Sequence, residues 1–266
     1  MAAAPRTPRA RRYDSAKTRA AVLAQFQHVR EVTAGLTAEQ LRLPTRLGDW
    51  TVRELVSHIA IILDHVSDTL EKPAPPKLEV PVQEWPFATR AIAGRVDELA
   101  HELADRGAEP TEIFDRIAER FDRIVGPAPD DRLLASRVGA MRLDDFLVTR
   151  CVELVVHSDD LAAALGVHVP FDRQALANCT RMLADALALK APGGSVEVRV
   201  PPFAVVQCVE GPRHTRGTPP NVVETDPVTW LRLATGRTEW AAALDEAAVS
   251  ASGERADLAA LLPVMG

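Results

Sequence analysis

The sequence predicts a mainly α chain, in which a four-helix bundle is followed by a smaller α+β domain. Three observations carry that expectation. Apolar residues recur at three- and four-residue spacings through most of the chain up to Leu165. One proline-rich stretch, KPAPPKLEVPVQEWP at 72–86, interrupts those runs and reads as a long crossover, because proline removes a backbone donor and clashes with the preceding turn. After Pro170 the pattern changes to strand-like runs. A length of 266 residues suits two domains of roughly 100 to 150 residues each. The expected boundaries are a disordered basic tail at 1–12, a helical bundle at 13–170 and the α+β domain at 171–266.

From Asp14 to about Gly35, residues Ala21, Val22, Leu23, Phe26, Val29 and Val32 mark an amphipathic helix. Thr37 and Gln40 stand at capping-box spacing, and the turn PTRLGD leads to Trp50. Thr51 and Glu54 repeat that spacing at the head of TVRELVSHIAIILDHVSDTL, so a second long helix starts there with its free amides satisfied. Residues 88–106 and 111–125 read as helical, with a break near Gly107 and Pro110. PAPDD breaks the pattern again, and a last long helix runs from about Asp144 to Leu165, stopped by Gly166.

In the second domain FDRQALANCTRMLADALAL is a helix ending at APGG, and SVEVRV, FAVVQCVEG and NVVET are strands. PVTWLRLAT opens with proline at a natural first helical position, and short helices are expected near 238–247 and 254–262.

Composition excludes several classes. The apolar fraction of 47% and charged fraction of 26% are those of an ordinary globular protein. No window approaches the roughly 18 apolar residues of a membrane span. Cys151, Cys179 and Cys208 are odd in number and scattered, which argues against a secreted disulfide framework and for a reducing cytoplasm. A net charge of −6, with no basic, aromatic-studded stretch after the tail MAAAPRTPRARR, argues against nucleic acid as a partner. A monomer is the default expectation.

Glu153 and His157 stand four apart, which puts both on one face of the last long helix. At about 100° per residue, Phe146, Arg150, Glu153, His157 and Asp160 share a stripe that faces the bundle interior. Ionised groups there are costly unless paired, hydrogen-bonded or bound to a metal. Alone, such a pair also fits an exposed contact within one helix. His58, amid Leu55, Val56, Ile59 and Ile62, fits either a satisfied core histidine or a third ligand facing the other two. Three protein ligands with an open position make the pattern of catalytic zinc. His65 lies on nearly the same face as His58, and Asp160 lies one turn beyond His157; both, with Arg150, are candidates for supporting the ligands or touching substrate. Cys151 points about 200° away from Glu153 and reads as core. Trp50 and Trp85 are read as packing residues that could also line a pocket.

The strings LTAEQLRLPTRLGDWTVRELVSHIA and RCVELVVHSDDLAAALG resemble the mycothiol-dependent maleylpyruvate isomerase family of actinobacteria. The tail segments DPVTWLRLATGRTEWAAAL and ASGERADLAALLP are similar to the sterol-carrier-like domain often attached to it. The resemblance implies a DinB-like four-helix bundle, zinc held by His58, Glu153 and His157, and mycothiol as the thiol cofactor. It also implies an arginine from the C-terminal domain near the metal, for which Arg237, in ATGR, is chosen over Arg232 and Arg255. The expected activity is cis-trans isomerisation of, or thiol transfer to, a small electrophile that can carry a carboxylate. The alternatives are a metal hydrolase that activates water with the same triad, and a carrier or sensor whose metal is structural. The last requires a fourth protein ligand, with His65 or Asp160 available.

Overall fold

A computed structural model of the chain describes residues 11–105, 110–211 and 220–265. The chain divides into two compact units. One comprises Tyr13–Val82 and Ala91–Leu176, and the other is built around Ala177–Gly266 with Gln83–Arg90 added. Most of the basic tail expected at 1–12 lies outside the described residues; Arg11 is within them and pairs with Asp185 at 2.8 Å. The helix break expected near Gly107 also lies outside them.

In the first unit α1 (Ser15–Thr33) starts where the Asp14 carboxylate accepts from Lys17 N at 3.0 Å. Its inner face buries Ala21, Val22, Phe26 and Val29. α2 (Val52–Leu70) opens with the expected capping box, in which Glu54 accepts from the Thr51 amide at 2.8 Å and Thr51 caps the first turn. α2 buries Leu55, Val56, Ile59, Ile62, Leu63 and Val66, each contributing roughly 1.5 to 3 kcal/mol by removal from water.

The crossover carries a single short 3-10 turn before the four-residue α3 (Trp85–Ala88), which belongs to the other unit. α4 (Ala93–Ala104) and α5 (Pro110–Val125) then pack against α2. Phe114 of α5 stacks on Phe26 of α1 with ring centroids 4.5 Å apart. Arg120 of α5 reaches three carboxylates spaced along α2: Asp64, Asp68 at 2.8 Å and Glu71 at 2.7 Å.

A hairpin that sequence periodicity did not disclose follows, β1 (Leu133–Ser136) and β2 (Gly139–Arg142), antiparallel with Ser136 opposite Gly139. α6 (Leu143–Leu165) leaves β2 directly and ends at Gly166, whose φ of 66° is the left-handed cap conformation that glycine adopts without strain. α6 packs on α1 and α2, so α1, α2, α5 and α6 form the bundle.

α7 (Arg173–Lys190) starts at the end of the first unit and continues into the second. There β3 (Val196–Val200), β4 (Ala204–Cys208), β5 (Val222–Thr225), α8 (Pro227–Ala234), α9 (Trp240–Asp245) and β6 (Val249–Ser252) follow. The sheet order is β4-β3-β5-β6; β3 and β5 are parallel and the outer pairs antiparallel. Asp226 accepts from Val228 N and Thr229 N, with Pro227 next to it, and so fixes the start of α8.

The helix expected near 254–262 is instead a 3-10 turn at Ala259–Leu261. Asp257 accepts the Ala259 amide, and Pro263 disfavours helical backbone at Leu262, which leaves room for one turn only. Among the described residues no helix is long and apolar enough to cross a membrane.

Candidate metal centre

α2 and α6 face one another inside the first unit and bring His58, Glu153 and His157 together. One ligand atom from each lies within 4.8 Å of the others. His58 Nε2 is 3.3 Å and His157 Nε2 3.4 Å from the same Glu153 oxygen, Oε2. The imidazole rings stand nearly perpendicular, with centroids 4.6 Å apart. Both histidines are buried, at 6% and 8% exposure, so the cluster is shielded from bulk water.

That geometry fits a divalent cation. A tetrahedral centre with bonds of about 2.0 to 2.1 Å has ligand atoms roughly 3.3 to 3.4 Å apart. Both edges to Glu153 match. Two imidazoles and one carboxylate also favour a transition-series ion such as zinc over magnesium or calcium, which prefer all-oxygen shells.

The surroundings prepare each ligand. His157 Nδ1 lies 2.9 Å from Asp160 Oδ2, which fixes Nδ1 as the protonated nitrogen and leaves Nε2 facing Glu153. Asp160 is fully buried and its other oxygen accepts from Arg46 Nε at 2.5 Å, while Arg46 Nη2 donates to Asp159. Arg46 lies in the PTRLGD turn before α2, so this loop supports His157 on α6 through Asp160. Trp50 packs against His58 with centroids 5.2 Å apart and donates its indole N–H to Asp97 at 2.6 Å. Trp85, by contrast, belongs to the other unit, where it is buried as a packing residue.

Electrostatics follow from burial and these bonds. Burial pushes the His58 imidazole down to about 4 despite its contact with Glu153, so it is neutral and its lone pair is available. For His157 burial works against protonation, but the bonds to Asp160 and Glu153 outweigh it and raise its pKa. Burial likewise opposes the Glu153 charge, yet its close contacts with His157 and His58, with the Arg150 guanidinium nearby, hold the carboxyl well below the usual range. His58 Nδ1 is buried without a hydrogen-bond partner.

Arg150 is buried one turn before Glu153. Its guanidinium donates to Thr149 Oγ1 at 3.1 and 3.0 Å and lies 4.4 Å from the Phe146 ring centroid, and burial lowers its pKa to about 10. His65 is buried as well, edge-on to Phe146 at 5.9 Å. It does not join the triad, and both carboxylate oxygens of Asp160 are engaged elsewhere. Neither residue stands as a fourth ligand. Arg237 lies in the other unit, half-buried after α8, with Nη1 donating to Thr235 O at 2.7 Å. Cys151 is fully buried.

Sequence reasoning missed two cations. Arg46 looked like an ordinary turn residue. Arg137, at the β1–β2 turn, is half-buried and acts electrostatically on Glu153, although only Arg150 had stood out as an arginine of the helical half.

Residues 22–162 match the family described as mycothiol maleylpyruvate isomerase N-terminal domain, and residues 172–264 match that described as bacterial SCP ortholog. No curated protein sequence matches the chain closely enough to count as a relative. Among solved structures, the chain is similar to the crystal structure of a mycothiol-dependent maleylpyruvate isomerase, with a TM-score of 0.60 at 14% identity, over 90% of this chain and 93% of that one. A single-substitution mutant of that isomerase matches over the same shares with a TM-score of 0.60 at 13% identity. At such identities the likeness establishes the fold.

Proposed function

Because the chain belongs to the mycothiol maleylpyruvate isomerase family, through a match over residues 22–162, we propose that it is a zinc-dependent enzyme that uses mycothiol to isomerise, or transfer the thiol to, a small electrophilic acid. The observation that carries the reading is the His58, Glu153 and His157 cluster, three donor atoms on facing helices, two of them on buried histidines, spaced as a three-ligand site with an open position. Bound together, the cation and the thiol supply a thiolate at neutral pH, able to add reversibly to an activated double bond or to remain on the substrate.

The protein's own residues prepare that chemistry. Asp160 holds the proton on His157 Nδ1, and Arg46 holds Asp160. Burial keeps His58 neutral, so its Nε2 is a donor atom over the whole physiological range. His58 and His157 are themselves buried, which excludes bulk water from the cluster and strengthens electrostatic interactions there. The protein cysteines are not candidates for the nucleophile: all three are buried, and burial raises the Cys208 thiol to about 11. Arg237 remains the proposed contribution of the C-terminal unit, as the positioner of a substrate carboxylate.

The test is metal analysis of the purified full-length chain, followed by cobalt substitution and titration with mycothiol. About one zinc per chain and a sulfur-to-cobalt charge-transfer band, unchanged in Cys151→Ser, are expected. Full zinc occupancy in His157→Ala would overturn the ligand assignment. Turnover of a substrate without any thiol would replace the reading with a metal hydrolase.

A further inference from the structure

Beside the triad the first unit brings Arg137, Arg150 and His65 within electrostatic reach of one another. Arg150 lies over the face of Phe146 at 4.4 Å, and His65 meets the edge of the same ring at 5.9 Å. Arg137 approaches from the β1–β2 turn, and β1 packs against α2, the helix that carries His65. Arg137 and Arg150 both act on the charge of His65, and Glu153 acts on both arginines.

Two features call for a ligand. His65 Nε2 is a buried nitrogen without a hydrogen-bond partner on a residue only 8% exposed, and such atoms in native proteins are rare and costly. Arg137 is half-buried and makes no hydrogen bond or ion pair among the described residues; Asp68, which also acts on it, is already bonded by Arg120 at 2.8 Å. The remaining carboxylate, Glu153, is committed to the two histidines.

We propose that Arg137, Arg150 and the unpartnered nitrogen of His65 form an anion-receiving cluster beside the metal triad, which takes one carboxylate of the small acidic substrate. The inference rests on the zinc reading above in one respect: a cation at the triad would neutralise Glu153, the carboxylate that acts on both guanidinium groups. Planar guanidinium forks match a carboxylate through paired N–H bonds, and a neutral imidazole adds one directional donor. Arg137 is the solvent-facing member, so the anion enters past the hairpin turn, and Arg150, almost wholly buried, marks the inner end. The helical unit thereby supplies carboxylate recognition of its own, distinct from any role of Arg237.

The experiment is calorimetric titration of the full-length protein with maleate, its neutral diamide and inorganic phosphate, with zinc present and again in EDTA. Wild type, Arg137→Gln and Arg137→Lys are compared, with circular dichroism confirming the fold. Maleate should bind wild type, weaken with salt, and bind at least tenfold more weakly to Arg137→Gln. The Lys variant keeps the charge but loses the fork, and should fall between them; it carries the test should Gln fail to fold. The diamide should bind none of the three.

Equal maleate affinity in wild type and variants overturns the proposal. So does diamide binding as tight as maleate, phosphate binding tighter than maleate, or no maleate binding by wild type. Zinc content and thiol binding are read on the same samples. If both are intact while maleate ignores Arg137, only this inference fails. If zinc is absent but Arg137→Gln still weakens maleate in EDTA, the zinc reading fails and the cluster stands.

Discussion

Replacing His65 with leucine should stabilise the metal-free protein and flatten its response to acid. Burial, with Arg137 and Arg150 adding to it, pushes the His65 imidazole down to about 3 from an ordinary value near 6.5. The folded state therefore resists a proton that the unfolded chain accepts. Stability rises with pH wherever the unfolded state binds more protons, so His65 costs stability progressively as pH falls from 6.5 toward 3. Between pH 7 and pH 5 that loss is about 2 kcal/mol, taking roughly 1.4 kcal/mol for each pH unit below 6.5.

At pH 7 a second effect remains. The unpartnered Nε2 is worth roughly 1 to 3 kcal/mol of desolvation, against roughly 0.5 to 1.5 kcal/mol for the lost ring contact with Phe146. His65→Leu should then gain about 1 kcal/mol at pH 7 and about 3 kcal/mol at pH 5 relative to wild type. His58 titrates in the same direction in both proteins and cancels in the difference. Native-state hydrogen exchange of the α2 amides at the two pH values reads the opening free energy of the relevant element. Identical pH slopes for the two proteins would refute the reasoning, since His65 would then take up its proton in the folded state as readily as in the unfolded chain.

Asp160→Asn should weaken zinc binding by roughly 10- to 100-fold, read by competition with a chromogenic chelator, because the amide no longer fixes the His157 tautomer. Gly166→Ala should lower stability by about 1 kcal/mol. The position has a φ of 66° and an added Cβ meets no atom within 4 Å, so the whole loss is backbone strain, visible as a lower Tm with metal affinity unchanged. Asp226→Ala should cost about 1 kcal/mol by uncapping α8, and thermal unfolding should show the loss while zinc content stays the same.

The meeting of His58, Glu153 and His157 was legible because local rules placed them on facing helices. Thr51 and Glu54 announce where α2 begins, which fixes the face of His58, and the four-residue step from Glu153 to His157 fixes the other side. Arg46 and Arg137 were not legible. Arg46 acts through Asp160, a residue distant in sequence, and nothing in PTRLGD encodes that contact. Arg137 depends on a hairpin of two four-residue strands, too short for alternation to register. β6 escaped for a related reason: of VSAS only Val249 is buried, so an edge strand held by its backbone ladder to β5 leaves no apolar pattern.

The Arg120 contacts give the two ends of α2 different supports. α2 has no basic residue in its last turn, while Asp68 and Glu71 lie at the end where the helix dipole is negative and Asp64 lies one turn earlier. The one guanidinium that reaches all three carboxylates is carried by α5, beyond the crossover and α4. The turns around His58 carry their own capping box, whereas those around His65 take their counter-charge from another helix. The end of α2 that carries His58 is thus supported within the helix, and the end that carries His65 depends on α5.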